Sequence, residues 1–448
     1  MMPKEQYYAQ YLYGRLYKTT SPRSEALGEA LCVLFDIADS ARQRQVVAHT
    51  PVTGYGIPCI YPQIPGIPPY HNNAVWPFVQ SFWLWAAAKT ANEKMVMESI
   101  GAIYRPAALF VTNKENFVAD NGDYSGTEIN SGNMLWSLSG SISIVHKVLF
   151  GIVPGEAGLS FSPFVPRNLK GPHRLSNYKY RDMVLDIELE GWGNRIKSFS
   201  IDGEQSSEAA LPATLSGSHH IRIVLSDSPP AAQPIHKTAN YTAPATPVVS
   251  LSNNQLSWKP VDGAVRYQIT GNGKPIDVTT VNEYPVNESA VTEYQVVAVD
   301  ANGIESFASE PVIPVRHNRI TTYPLGKGSG DFLEISTVKN RHISLPVTIS
   351  QPGRYALDFR YANGNGPVNT ENKCAIRSMK IDGIPAGTFV FPQRGKDTWD
   401  DRGFSNALMV NLTGGTHQIS LNFEPWNENM NGAVNQARLD YLRMIRID

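Results

Sequence analysis

A multidomain chain of α plus all-β class, helical over its first third and built of β-sandwich modules beyond it, is expected from three features. Up to about residue 152, apolar residues recur at i, i+3, i+4 and i+7, the spacing of one helix face. After PGEAGLSFSPFVP the period changes to alternation, as in YKYRDMVLDIELEGWGNRIKSFSIDG, the pattern of half-buried antiparallel strands. At 448 residues the chain also exceeds what one hydrophobic core organises, so several domains are required.

Four segments carry the helical period: about Ser24 to Val47 (Leu27, Leu31, Leu34, Phe35, Ile37), Asn73 to Asn92, Glu93 to Thr112 and Asn133 to Phe150. The second and fourth are apolar nearly all round, which predicts burial. Two long loops, GYGIPCIYPQIPGIPPYHNN and NKENFVADNGDYSGTEINSGN, separate them; loops of that length on a rigid scaffold usually carry function. Residues 153–235 read as a β-sandwich ending in SDSPPAAQPIHKTANYTAPATP, a linker by composition. Residues 240–316 and 317–448 read as two further all-β modules, separated by a second linker-like patch near Pro311 to Thr322.

Composition excludes several functions. Lys plus Arg number 39 against 40 Asp plus Glu, which leaves no field to attract a polyanion, so nucleic acid is not an expected partner. Cys32, Cys59 and Cys374 lie far apart without metal-ligand spacing and read as buried thiols. The first residues, MMPKEQYYAQYLYGRLYKTT, have no apolar signal core, and the most apolar stretch, Met134 to Val153, contains His146 and Lys147; neither a targeting segment nor a membrane span is expected. HExxH, GxSxG and CxxC patterns are missing, so a zinc peptidase or an esterase has no support. Sequons at Asn240, Asn287 and Asn411 would matter only in a eukaryotic secretory pathway.

The segments YHNNAVWPF, EINSGNMLW and LWSLSGSISIVHKVLFGIVPGEAGLSFSPFVP resemble the late part of the six-hairpin, or (α/α)6-barrel, glycosidases, the clan of trehalases and processing α-glucosidases. There an exit helix leads into a β-sandwich cap. The resemblance implies that residues 1–152 are the closing part of such a barrel, and that an upstream polypeptide completes it. LSWKPVDGAVRYQI and YQVVAVDANGIESFASEP resemble a fibronectin type III module, with Trp258 and Tyr267 as core. ISQPGRYALDFRYANG, MKIDG, LTGGTHQISLNF and ARLDYLRMIR are similar to the carbohydrate-binding modules attached to such enzymes. Modules of this kind imply an extracytoplasmic, bacterial protein.

Glycoside hydrolysis needs two carboxyl groups flanking the scissile bond, roughly 6.5 to 9.5 Å apart when water is the nucleophile. Inversion is what the resemblance implies, and it places Glu128, just before the fourth helix, as general base, with Asp120 and Asp123 as fallbacks. A loop glutamate near a helix start is also favoured by the helix dipole alone. No segment matches the clan's general acid, and Asp36 and Asp39 read as surface charges. The chain by itself is therefore expected to be catalytically incomplete.

Sugars present C–H faces and hydroxyl edges, so an aromatic platform ringed by polar groups suits them. Tyr70, His71, Asn73, Trp76, Asn130 and Trp136 offer such groups for substrate; the alternative is that Trp76 is core and His71 a loop histidine. In the last module Trp399 and Trp426 sit in polar loops; one reading has at least one of them stacking on a sugar, with Tyr361, Asn363 and Asn435 reaching hydroxyls, and the other has both packing against loops at the sandwich edge. The resemblance also offers Asp440, with Glu334, for a structural calcium; no cofactor is expected for catalysis. The first reading is thus a six-hairpin glycoside hydrolase acting on an oligo- or polysaccharide. The second is a non-catalytic glycan-binding protein with a structural helical remnant, and the third a phosphorylase of the same clan.

Overall fold

The computed structural model describes residues 1–286, 291–314, 319–326, 332–366, 374–428 and 435–448; the sequon at Asn287 lies outside them. Among the described residues there are five α-helices: α1 (Ala26–Leu34), α2 (Ser40–His49), α3 (Pro77–Lys89), α4 (Glu93–Phe110) and α5 (Leu135–Ser143), the last running on into a π-helical turn, Ile144–Leu149. Most of the regular structure is β strand, in sheets that pair face to face.

The (α/α)6-barrel fold class is corrected by this architecture. α1, α4 and α5 pack around α3, which buries Val79, Gln80, Trp83, Leu84, Ala86 and Ala87 at the centre of a compact cluster. A barrel wall instead needs helices side by side around a hollow, and here the middle is filled by Trp83. An upstream polypeptide therefore loses the architecture it was to complete.

Two helical expectations also change. The segment from Ser24 breaks at Asp36, whose backbone is left-handed (φ 56°), and restarts where Asp39 caps α2 by accepting from Arg42 N at 2.9 Å. Its buried face is Ala26, Glu29, Ala30 and Val33, so Phe35 and Ile37 are exposed. The fourth segment is not buried all round: α5 turns Ser137 and Gly140 inward, and Leu135, Trp136, Leu138 and Ile142 outward. Gly140 decides this, because a Cβ there would stand 3.0 Å from the Ser81 side chain, so only a hydrogen lets α5 approach α3 so closely.

Glu29 is buried in that cluster, its Oε1 accepting from Tyr8 N at 2.7 Å. Burial pushes its carboxyl from the ordinary 4.5 up to about 8. Between those values the unfolded chain ionises Glu29 while the folded chain keeps its proton. The folded state then binds more protons, so this residue's contribution to stability falls as pH rises through that window and levels above it. Glu29→Gln, neutral throughout, should gain on the parent in urea unfolding between pH 5 and pH 8; parallel curves would refute this.

Beyond α5, Ile152–Gly155, Gly158–Phe161 and Ala210–Pro212 form one sheet, and five strands between His173 and Leu225 form another. Leu159, Leu185, Ile187, Phe199, Ile221 and Ile223 fill the space between them. The stretch after it is no free tether. His236 O and Thr238 N bond Val52, Tyr241 O and Ala243 N bond Gln63, and Asn240 donates to Asn73 and Asp120, fastening residues 233–243 along the helical cluster. The Asn240 sequon amide is committed there.

Two three-stranded sheets, containing Gln255–Trp258 and Ala264–Gly271 respectively, enclose Leu256, Ile269, Val296 and the edge-to-face pair Trp258–Tyr267. The last module packs a six-stranded sheet, centred on Gly353–Ala362 and Ala437–Arg446, against a four-stranded one (His342–Ile349, Gly415–Asn422, Ala375–Ile381, Ile384–Phe391). Both outer modules carry the same clasp. His219 holds Asp202 and His417 holds Asp382, each at 2.7 Å, with the next backbone amide on the same carboxylate at 2.8 Å. Each imidazole is raised above its ordinary range by the carboxylate it bonds.

Candidate functional site

The helical cluster gathers several of the expected residues but closes them against one another. Trp76 caps α3, donates its Nε1–H to Tyr70 O at 2.6 Å, and has its face covered by His71 at 4.9 Å. It is packing rather than platform. Tyr70 meets the Trp76 ring edge-on at 5.2 Å, and Asn73 donates to Asp120 at 2.8 Å. Asn130 donates to Asn116 and Thr127, holding the loop closed. Trp136, 40% exposed, lies stacked on Phe78 at 5.5 Å.

Glu128 is exposed, with its backbone N–H on Pro69 O at 2.8 Å. A general base must hold a water in a sheltered hollow, and a solvent-facing carboxylate does not. Asp120 accepts amides from both Asn73 and Asn240 at 2.8 Å, and Asp123 closes an Asx turn on Ser125 N at 2.9 Å. All three carboxylates thus serve the loop or the solvent. Glu128→Gln should change unfolding free energy by less than about 0.5 kcal/mol, as chemical denaturation would read; a larger loss would reveal a buried role.

The last module presents a different arrangement. Strand Gly415–Asn422 ends in the turn Pro425–Asn427, where Asn427 is buried: its Oδ1 accepts from Glu424 N and Ser378 N, and its Nδ2 donates to Ser378 Oγ. The same Ser378 hydroxyl accepts the Trp426 Nε1–H at 3.0 Å. The indole is therefore fixed in direction while 72% exposed, offering its ring face to solvent. Lys380 and Glu424, paired at 3.3 Å, stand on the adjoining elements. Ser378 and Asn427 escaped sequence reading. Ser378 lies in an ordinary alternating strand, and the Pro425 turn start was the one available signal.

The other residues expected in this module are corrected. Tyr361 is buried, its hydroxyl donating to Pro392 O at 2.9 Å, and burial pushes that phenol up to about 12. Asn363 and Asn435 are buried too. Asn363 donates to Phe391 O, and Asn435 accepts from Ile376 N and Arg377 and donates to Asn427 O. All three are bonded within the module. Trp399 is half-buried under the Arg438 guanidinium at 4.6 Å, which also lies over Phe332 at 4.7 Å.

Calcium does not fit Asp440 and Glu334. Asp440 lies between Arg360 and Arg402, each at 3.1 Å, and Glu334 is taken by Lys339 at 3.1 Å and Gln436 at 2.9 Å. Cations already balance these acids, and a divalent ion would be repelled by the arginines. Among the described residues no group of three or more His, Cys, Asp or Glu is placed to hold a metal ion. Cys32 and Cys374 are half-buried, and Cys59 alone is a buried thiol.

The chain is similar in part to several known proteins. A cycloisomaltooligosaccharide glucanotransferase of Niallia circulans is 26% identical over 121 residues, which are 27% of this chain and 11% of that protein. The match thus spans about a tenth of that relative's length. No family model matches the chain. Among solved structures, a Paenibacillus cycloisomaltooligosaccharide glucanotransferase complexed with cycloisomaltoheptaose is 24% identical over 28% of this chain and 16% of its own, with a TM-score of 0.20. A family 35 carbohydrate-binding module from Clostridium thermocellum is 16% identical over 45% of this chain and 98% of its own, with a TM-score of 0.19.

Proposed function

We propose that this chain is a non-catalytic glycan-binding protein whose last module holds a sugar ring against Trp426. The observation that carries the reading is the exposed indole with its N–H tied to Ser378. A large aromatic left in solvent yet rigidly oriented loses little entropy on binding, and its face matches the C–H face of a pyranose. Lys380 and Glu424 supply the polar edge. The partial likeness to a glucanotransferase that is named for cyclic isomaltooligosaccharides supports a glucan as the first ligand to try. The solvent-facing Glu128 and the engaged Asp120 and Asp123 favour binding over hydrolysis.

In this reading residues 317–448 carry the binding face, and residues 153–235 and 240–316 are structural modules. The protein works outside the cytoplasm, where such glycans occur; no described helix is long and apolar enough to cross a membrane. Affinity electrophoresis of the full chain through gels containing dextran, xylan, mannan or β-glucan tests the proposal. Retardation in at least one gel, without release of reducing sugar, is the expected result. Unretarded migration in all four would overturn it.

A further inference from the structure

Residues 1–23 lie across the module that begins near residue 245, and they are held firmly. Leu12–Tyr13 pairs with Thr19–Thr20, the Tyr13 hydroxyl accepts from Ala308 N at 2.7 Å, and the amides of Leu16 and Tyr17 both donate to Glu293 at 3.0 and 3.3 Å. Between this hairpin and strands Ala264–Gly271 and Tyr294–Asp300 is a cleft of about 530 Å3, walled by Tyr8, Tyr11 and Tyr13 on one side and by Gln268 and Thr270 on the other. A second cleft of about 450 Å3 lies toward the helical cluster, lined by Tyr61 and Tyr241. Glu5, Pro22 and Glu305 line both, so the two meet there. Each has the size of a ligand site.

We propose that these joined clefts form a second binding groove, for a neutral oligosaccharide chain long enough to pass from one to the other over Glu5 and Glu305. Phenol rings in each cleft, Tyr8, Tyr11 and Tyr13 in the first and Tyr61 and Tyr241 in the second, give the apolar faces that successive sugar rings require, and Tyr11 is 45% exposed for contact. The two carboxylates at the junction accept hydroxyl hydrogens, and charge-assisted bonds of that kind are the stronger ones. Burial, and then the neighbouring Glu5, hold the Glu305 carboxyl above its usual range, so a hydroxyl donor there replaces part of the lost solvation. Because Tyr13, Leu16 and Tyr17 are already anchored, the groove is preformed and loses little on ligand entry.

The groove shares no residue with the Trp426 surface, which makes the two proposals separable. Hydrogen exchange of the full chain is measured with isomalto-, cello-, xylo- and mannohexaose. Protection of residues 5–13 and 302–306 by at least one of them is the expected result. In a Trp426→Ala background, Tyr11→Ala and Glu305→Gln should each lower the remaining affinity about tenfold, the value of one aromatic or hydrogen-bonded contact. Protection confined to residues 424–428 would overturn the groove and leave Trp426 standing. Protection confined to the groove would do the reverse, and protection nowhere would remove both.

Discussion

Trp426→Ala lowers the affinity of the full chain for its retarding glycan by about thirtyfold, the scale of a central aromatic anchor worth ~2 kcal/mol. Stability moves little, because most of the side chain already lies in water and the turn is held by Asn427 rather than by the indole. Trp426→Phe keeps a ring but loses the bond to Ser378, so it should retain part of the affinity. Trp399→Ala is the contrast. That indole is clamped beneath Arg438 and faces Gly364, whose added Cβ would stand 2.9 Å from it. Its removal should cost stability and leave retention near the parent value. Isothermal titration beside thermal unfolding reads both quantities. Equal affinity of the parent and Trp426→Ala would end the proposal.

Asp358→Ala destabilises the chain by roughly 3–5 kcal/mol, the cost of stranding a buried charge. Asp358 is buried on the central strand of the last module, where Arg443 grips it with two bonds of 2.9 and 2.8 Å and Arg15 approaches to 3.5 Å. Both guanidiniums also lie over the Phe404 ring, at 3.5 and 4.9 Å. Arg15 reaches the site from the N-terminal hairpin and donates to Pro311 O at 3.2 Å, so one carboxylate ties three parts of the chain together. Asp358→Asn, which keeps an acceptor, should lose less. Urea unfolding followed by tryptophan fluorescence measures the difference, and a loss under about 1 kcal/mol would show that solvent reaches the cluster.

Local pattern carried some of this. The helical period of Glu93 to Thr112 lies on α4, and the alternation in RYALDFRYA sets Tyr355, Leu357, Phe359 and Tyr361 on one face, and that face is core. The candidate site was legible only as two tryptophans in polar loops. What separated them was their neighbours. Arg438 covers Trp399 from a strand that closes the chain, while Ser378, 48 residues away, leaves the Trp426 face bare. The Asp440 reading failed for the same cause, since the arginines that occupy it come from 80 and 38 residues away.

By itself, then, the order of residues determined where helical period gives way to alternation and offered two tryptophans in polar loops. Those follow from short-range sterics and from composition. Tertiary structure alone decided that α3 is a centre rather than a wall, that α5 shows its leucines to solvent, and which tryptophan stays open. Each of those depends on how closely distant backbones approach, set by Gly140 against Ser81 or by an arginine from another strand, and no local period encodes such distances.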